Sequence, residues 1–353
     1  MTPIRTPAEI AWFGALCDDD YEQLGVVRDD LRSSWNHCRD IVLEAERCGF
    51  DNILLPSGYS LGIDTTSFAS SMAPLTHSMN LLVAVRCGET WPPQLARQLT
   101  TLNQTLNGRL TVNIISSEMP GETLDSPLRY RRTLEVMTIV RQLMKGLPVD
   151  FHGEFYDITL DAPRICAESP TDVQFYFGGL SDEARDVAAA GADVYLMWPD
   201  TEHEIAKTMS DVSQRAERLG RHIRFGYRCH IVVRETEAEA LEAAHHLIAA
   251  VDAEEGARIR ARSLDSNSTG VRRQAELRER SSDDGFVEVN LWTGIGRARS
   301  GCGAAIVGDP QQVAAKINRY RDMGIDMFIL SGYPHKDECT RFADLVLPLL
   351  GRS

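Results

Sequence analysis

Short apolar runs without polar alternation recur along this chain, and three of them are introduced in the same way. Arg47-Cys48-Gly49-Phe50-Asp51 precedes Asn52-Ile53-Leu54-Leu55, Ala190-Gly191-Ala192-Asp193 precedes Val194-Tyr195-Leu196-Met197, and Met323-Gly324-Ile325-Asp326 precedes Met327-Phe328-Ile329-Leu330. Each reads as a helix end, a Gly suited to the left-handed C-terminal conformation, and a strand. A strand that is apolar throughout is covered on both faces, the habit of parallel sheets flanked by helices. Along the whole chain the same reading gives eight strand candidates, at 10–15, 52–55, 81–86, 110–115, 173–177, 193–197, 224–233 and 326–330. Eight strands separated by helices predict an α/β fold, a (β/α)8 TIM barrel formed as a single domain over 1–353. In such a barrel chemistry sits on the loops that follow the strands.

The intervening helices carry their own signals. Over 35–48, Cys38, Ile41, Val42 and Ala45 make one apolar stripe of helical period. Pro92-Pro93 opens a helix that Asn107-Gly108 closes. Asp309-Pro310-Gln311-Gln312 offers an N-cap, a first-turn Pro and a capping-box Gln. Two insertions exceed the short loops of a minimal barrel, at about 146–171 and 254–303. In the first, 149–156 reads as a hairpin turned at Gly153. The second, between strands seven and eight, bears Arg258, Arg260, Arg262, Arg272, Arg273, Arg278 and Arg280. It reads either as a solvated helix with a polar loop or as a mobile lid closing over an anionic substrate.

Composition narrows the class. The 353 residues carry a formal net charge of −14, which argues against general nucleic-acid binding. No apolar run approaches the roughly 20 residues needed to span a bilayer, so no membrane span is expected. The N-terminus lacks a basic-then-apolar signal region, and the eight cysteines are scattered without a C-x-x-C pair. Reduced thiols, a cytoplasmic location and no metal site are therefore expected.

The strand Arg224-Phe225-Gly226-Tyr227-Arg228-Cys229-His230-Ile231-Val232-Val233 puts Arg224, Arg228 and His230 on one face. Burying such groups needs partners, so they read either as an internal Arg–carboxylate pair or as ligand-binding groups. The Gly-rich, cationic stretch 290–303, with Arg299, raises the second reading, because Arg presents a planar fork to an oxyanion. Trp198, past strand six, and Tyr333, past strand eight, would add a flat wall and a phenol. Neither a catalytic carboxylate pair nor a Ser-His-Asp order emerges, so the set suits an anion and a planar cofactor better than hydrolysis. Gly178-Gly179, with Ser181 as N-cap of the following helix, reads as an ordinary βα loop or a phosphate site, and Ser116-Ser117 could add hydroxyl donors.

Together these residues mark a resemblance. From about 12 to 349 the chain resembles the bacterial luciferase-like flavin monooxygenases, and within them the alkanesulfonate monooxygenases. The pieces that carry it are Ile223 through His230, Asn290-Leu291-Trp292-Thr293-Gly294-Ile295-Gly296, and Phe328-Ile329-Leu330-Ser331-Gly332-Tyr333-Pro334-His335. Phe177-Gly178-Gly179 and Asn107-Gly108-Arg109 fit the wider superfamily. The resemblance implies a two-component enzyme: a separate NAD(P)H-dependent flavin reductase supplies reduced FMN, which reacts with O2 to give a flavin peroxide. Oxygenation of a sulfonated carbon then releases sulfite and an aldehyde. It also implies that Arg228, His230, Arg299, Tyr333 and Trp198 are the active-site set. Arg228 and Arg299 would hold sulfonate or peroxide oxygens, His230 and Tyr333 would orient or donate protons, and Trp198 would wall the site. Ser116, Tyr130, Gly178, Gly179 and Ser181 become candidates for the FMN site, the last four at its phosphate end. A homodimer or homotetramer is expected on the same ground.

Two departures bear on the substrate. Gly58-Tyr59-Ser60-Leu61 stands where the alkanesulfonate enzymes have Gly-Arg-Ser-Cys, and Cys17 stands in place of a His. The same chemistry on a bulkier or more polar sulfonate follows, with a sulfosugar such as sulfoquinovose a candidate whose hydroxyls Tyr59 and Asp64 could meet. A deazaflavin-dependent oxidoreductase and a sulfone monooxygenase on the same barrel are the alternatives.

Overall fold

The computed structural model describes residues 8–260, 268–299 and 301–351. Eight strands run in sequence: β1 Glu9–Phe13, β2 Asn52–Leu55, β3 Asn80–Arg86, β4 Leu110–Ile115, β5 Phe175–Gly178, β6 Val194–Met197, β7 Arg224–Val233 and β8 Met327–Ser331. Each pairs in parallel with its sequence neighbour, and β8 pairs with β1 through Ile10↔Phe328, which closes the (β/α)8 barrel. Ala11, Leu54, Leu82, Tyr176, Val194, Met327 and Ile329 meet inside it, while a larger apolar layer lies between strands and helices. Burial on both faces is why the strands read as unbroken apolar runs.

The N-terminal end of the barrel is closed by polar groups that satisfy one another. Asn52 donates to Glu9 (2.8 Å) and Thr111 (3.0 Å), and Arg224 pairs with Asp326 at 3.0 Å. An Arg–carboxylate pair on this strand is therefore made by Arg224, at the partly exposed N-terminal rim of the barrel.

Most local signals hold. The helix Trp35–Arg47 buries Cys38, Ile41, Val42 and Ala45, and Asp309 with Gln312 forms a capping box on Pro310–Asp322. The antiparallel pair Val149–His152 and Asp157–Leu160 turns at Gly153. Of the three glycines read as left-handed caps, Gly49 (φ +80°) and Gly324 (φ +107°) are so, but Gly191 is the last residue of the helix Asp182–Gly191. It packs closely there, where a Cβ would sit 2.7 Å from Met137 Cε, the tip of a flexible side chain.

Strand β7 outlasts β6, and the strand Ala305–Gly308 takes its vacated edge, with Ala305 opposite His230. The sequence reading left this strand, which directly follows the second insertion, unassigned. The insertion itself contains the helices Ala253–Arg260 and Thr269–Glu279 and the strands Phe286–Glu288 and Leu291–Trp292. A charge cluster fixes it to the barrel helices: Lys316 bridges Glu202 (2.8 Å) and Glu288 (3.2 Å), and Arg319 also pairs with Glu202. The Arg319 hydrogen bonds, against a smaller opposing effect of burial, bring the Glu202 pKa from 4.5 down to about 2. Its stabilisation is thus full above pH 4.5 and disappears as the pH falls toward about 2. Glu202→Gln is expected to flatten the loss of thermal stability across that acid window, measured by circular dichroism melts. Among the described residues no helix is long and apolar enough to cross a membrane.

Candidate active site

At the C-terminal ends of the strands lies a cavity of about 890 Å³. It is within the range of small-molecule and cofactor sites. Of the ten residues singled out from the sequence, Arg228, His230, Arg299, Trp198, Ser116, Tyr130, Gly178 and Gly179 line it. Tyr333 and Ser181 do not line its wall.

Arg228 and His230 project from the same face of β7, as the period of two requires. Ser331, at the end of β8, joins them: its Oγ accepts from Arg228 Nη2 at 2.9 Å and lies 2.7 Å from His230 Nδ1. Arg228 also donates to the Cys229 carbonyl and stacks its guanidinium 4.3 Å over the Phe13 ring. No carboxylate pairs with it among the described residues. Burial, followed by the charges of Arg228 and Arg299, pushes the His230 pKa well below its usual value, so the imidazole is neutral near pH 7.

Arg299 arrives from the second insertion and is paired with Asp18, on the loop after β1. Burial alone would favour loss of its proton, but the Asp18 carboxylate offsets this and holds the guanidinium charged. Tyr333 lies one layer behind the wall. Its ring stacks on His230 (5.4 Å between centroids, 24° between planes) and lies 5.8 Å from the Arg299 guanidinium. Burial raises the Tyr333 pKa, so the phenol keeps its proton.

Behind Tyr333, Asp20 is fully buried and accepts from the His335 backbone N–H (2.9 Å), His335 Nδ1 (2.7 Å), His37 Nε2 (3.0 Å) and the Tyr21 N–H (2.9 Å). Burial raises its pKa, yet the His335 charge and these hydrogen bonds dominate and hold it below the usual carboxylate range. Asp18, Asp20 and Ser331 were missed by sequence reasoning. The available signal was the acidic run Asp18-Asp19-Asp20 directly past a barrel strand.

Gly270 leaves room for Trp198 to form a wall, since a Cβ there would meet its ring at 3.0 Å. Of the arginines in the second insertion, Arg272 is the described one that lines this cavity in the 258–280 stretch. Arg273 is committed to Asp200 (2.6 Å) and Arg278 to the Gly296 carbonyl, while Arg262 and Ser300 lie outside the described residues.

At the opposite wall, the Ser116 and Ser117 hydroxyls are buried with no hydrogen-bond partner. Gly179 (φ +151°) leaves a cradle beside Tyr130, where a Cβ would stand 2.6 Å from Ala184 Cβ and 3.4 Å from the Tyr130 hydroxyl. Ser181 caps the helix Asp182–Gly191, accepting from Ala184 N at 3.2 Å, so its hydroxyl is engaged locally. Asp64 likewise caps Thr65–Met72 through Ser67 N (2.7 Å) and is not on the cavity wall, whereas Tyr59 is, and is exposed.

Two curated relatives match nearly the whole chain. A sulfoquinovose monooxygenase of Novosphingobium aromaticivorans is 58% identical over 347 residues, covering 96% of both chains. One of Agrobacterium fabrum is 49% identical, covering 97% of this chain and 89% of its own. Among solved structures, a long-chain alkane monooxygenase superposes with a TM-score of 0.78 over 99% of this chain and 92% of its own, at 17% identity, a likeness of fold. The profile described as luciferase-like monooxygenase matches residues 16–327. With that match over most of its length, and with the barrel and its C-terminal cavity in place, the chain belongs to the luciferase-like monooxygenase family.

Proposed function

We propose that this enzyme is a reduced-FMN-dependent sulfosugar monooxygenase that cleaves the C–S bond of sulfoquinovose. The observation that carries the substrate is 58% identity, over 96% of both chains, to a relative named for that reaction. The site's chemistry supports it: two guanidinium groups, one without a carboxylate, meet a neutral imidazole at one end of the cavity.

The unpartnered Ser116 and Ser117 hydroxyls and the Gly179 cradle fit a flavin at the other wall, with Gly178 and Tyr130 beside it. Ser181 would act there through the helix it caps. Reduced flavin, delivered by an NAD(P)H-dependent flavin reductase, supplies the two electrons that activate O2. One oxygen atom ends on carbon as the aldehyde, the other as water, and sulfite leaves as the C–S bond breaks. Arg228 and Arg299 hold the sulfonate oxygens by charge-assisted hydrogen bonds. With Arg228 using one lone pair of Ser331 Oγ, the serine proton turns to His230 Nδ1 and keeps the Nε2–H tautomer, a donor toward the reacting oxygens. Tyr333 stacks behind the imidazole, and Trp198 excludes water.

The test is sulfite release with FMN, NADH, a flavin reductase and O2, offering sulfoquinovose, octanesulfonate and methanesulfonate in parallel. Sulfite from sulfoquinovose in preference to the other two is expected. Oxygen-independent turnover with a reduced deazaflavin, and no sulfite, would replace this reading with the hydride-transfer alternative.

A further inference from the structure

The Asp18–Arg299 pair has a consequence for which anions the site accepts. Asp18 lines the cavity with its carboxylate held on three sides: Oδ2 meets Arg299 Nη1, and Oδ1 takes the Asp19 N–H at 2.9 Å and the Tyr21 hydroxyl at 3.4 Å. Its side chain is 16% exposed. At this end of the cavity stand two guanidinium charges, Arg228 and Arg299, and one carboxylate, so 2 − 1 leaves one net positive charge. His230 and Tyr333 add none. Elsewhere on the wall, Arg86 lies 3.0 Å from Glu89, Arg129 lies 3.8 Å from Glu118 and Glu122 pairs with Arg132, while Arg272 and Asp125 add opposite single charges, so the balance is unchanged.

We infer that Asp18 is a specificity-determining residue that tunes the site to monoanionic headgroups and turns away dianionic ones. The inference rests on the proposed sulfosugar reading. A sulfonate carries one charge at any physiological pH, whereas a phosphate monoester on the same sugar carries nearly two, its second pKa being about 6. A fixed carboxylate beside the anion site repels the second charge at close range in a poorly solvated wall, where charge–charge energies far exceed those in water. It also orients Arg299 without consuming Arg228. Sugar phosphates of similar shape are thus excluded by charge where shape alone would admit them, a use of repulsion for specificity.

The experiment compares sulfoquinovose and glucose 6-phosphate as ligands at pH 8, reading the KM for sulfite release and the Ki of the phosphate. In the Asp18→Asn protein, the ratio of Ki to KM is expected to fall about tenfold or more from its wild-type value. Asp18→Glu is expected to restore the ratio most of the way. On the wild-type protein alone, glucose 6-phosphate should inhibit more strongly at pH 5.5, as monoanion, than at pH 8, each Ki taken relative to the KM at that pH. A KM and Ki that move together in Asp18→Asn would mean that Asp18 only orders Arg299, and the inference falls. So it does if wild-type inhibition is indifferent to the phosphate's charge. A wild-type enzyme that releases no sulfite from sulfoquinovose overturns the functional reading itself and this inference with it.

Discussion

Arg228→Ala is expected to lower kcat/KM for sulfite release by about 10²–10³-fold, the loss typical when one preorganised donor to a reacting oxyanion is removed. The reason is its isolation from carboxylates. Its donors go to the Cys229 carbonyl and Ser331, and its charge rests over Phe13, so the guanidinium is not neutralised before substrate arrives. The change leaves no opposite charge stranded, so the fold should survive, as a melting curve would verify. Arg228→Lys should recover little, because a point charge cannot make the forked contacts to Ser331 and an oxyanion together. Activity within a few fold of wild type in the alanine protein would remove Arg228 from the site.

Asp20→Ala is expected to have the larger effect on stability, about 3–5 kcal/mol, as for other buried charge pairs that lose one partner. Four donors converge on this carboxylate, and His335 already has one buried ring nitrogen, Nε2, without a partner. Removing Asp20 leaves the other ring nitrogen unsatisfied as well. His335 packs edge-on against Tyr333 (4.9 Å between centroids), and Tyr333 backs His230, so activity should fall along with stability. Chemical denaturation of the purified variant gives the first quantity and sulfite release the second. A variant as stable as wild type would mean that the His335 contacts are dispensable.

The candidate site was legible from sequence where a residue's role follows from its own strand. Arg228 and His230 share a face of β7 because the period is two, and Trp198 and Tyr333 follow strand ends, where a barrel gathers its chemistry. The sequence left more open where a side chain had two possible partners. Ser181 and Asp64 are candidate ligand groups, and each also caps its own helix, an interaction made locally and ahead of any ligand. The arginines of the second insertion read as a solvated helix or as a lid over an anion, and the structure ties Arg273 and Arg278 to Asp200 and the Gly296 carbonyl. Partners that distant in sequence leave no periodic trace.

By itself the sequence determined the periodic and the local: the eight barrel strands, the caps at Asp309 and Ser181, the stripe of Trp35–Arg47, and the hairpin at Gly153. These depend on neighbours within a turn or a pleat, and the chain carries that information directly. Tertiary structure alone decided that Ala305–Gly308 extends the sheet along β7 and that Asp18 meets Arg299 across 281 residues. Such contacts exist only once the barrel closes and brings the loops after β1, β7 and β8 to one mouth, where burial and charge fix which groups pair.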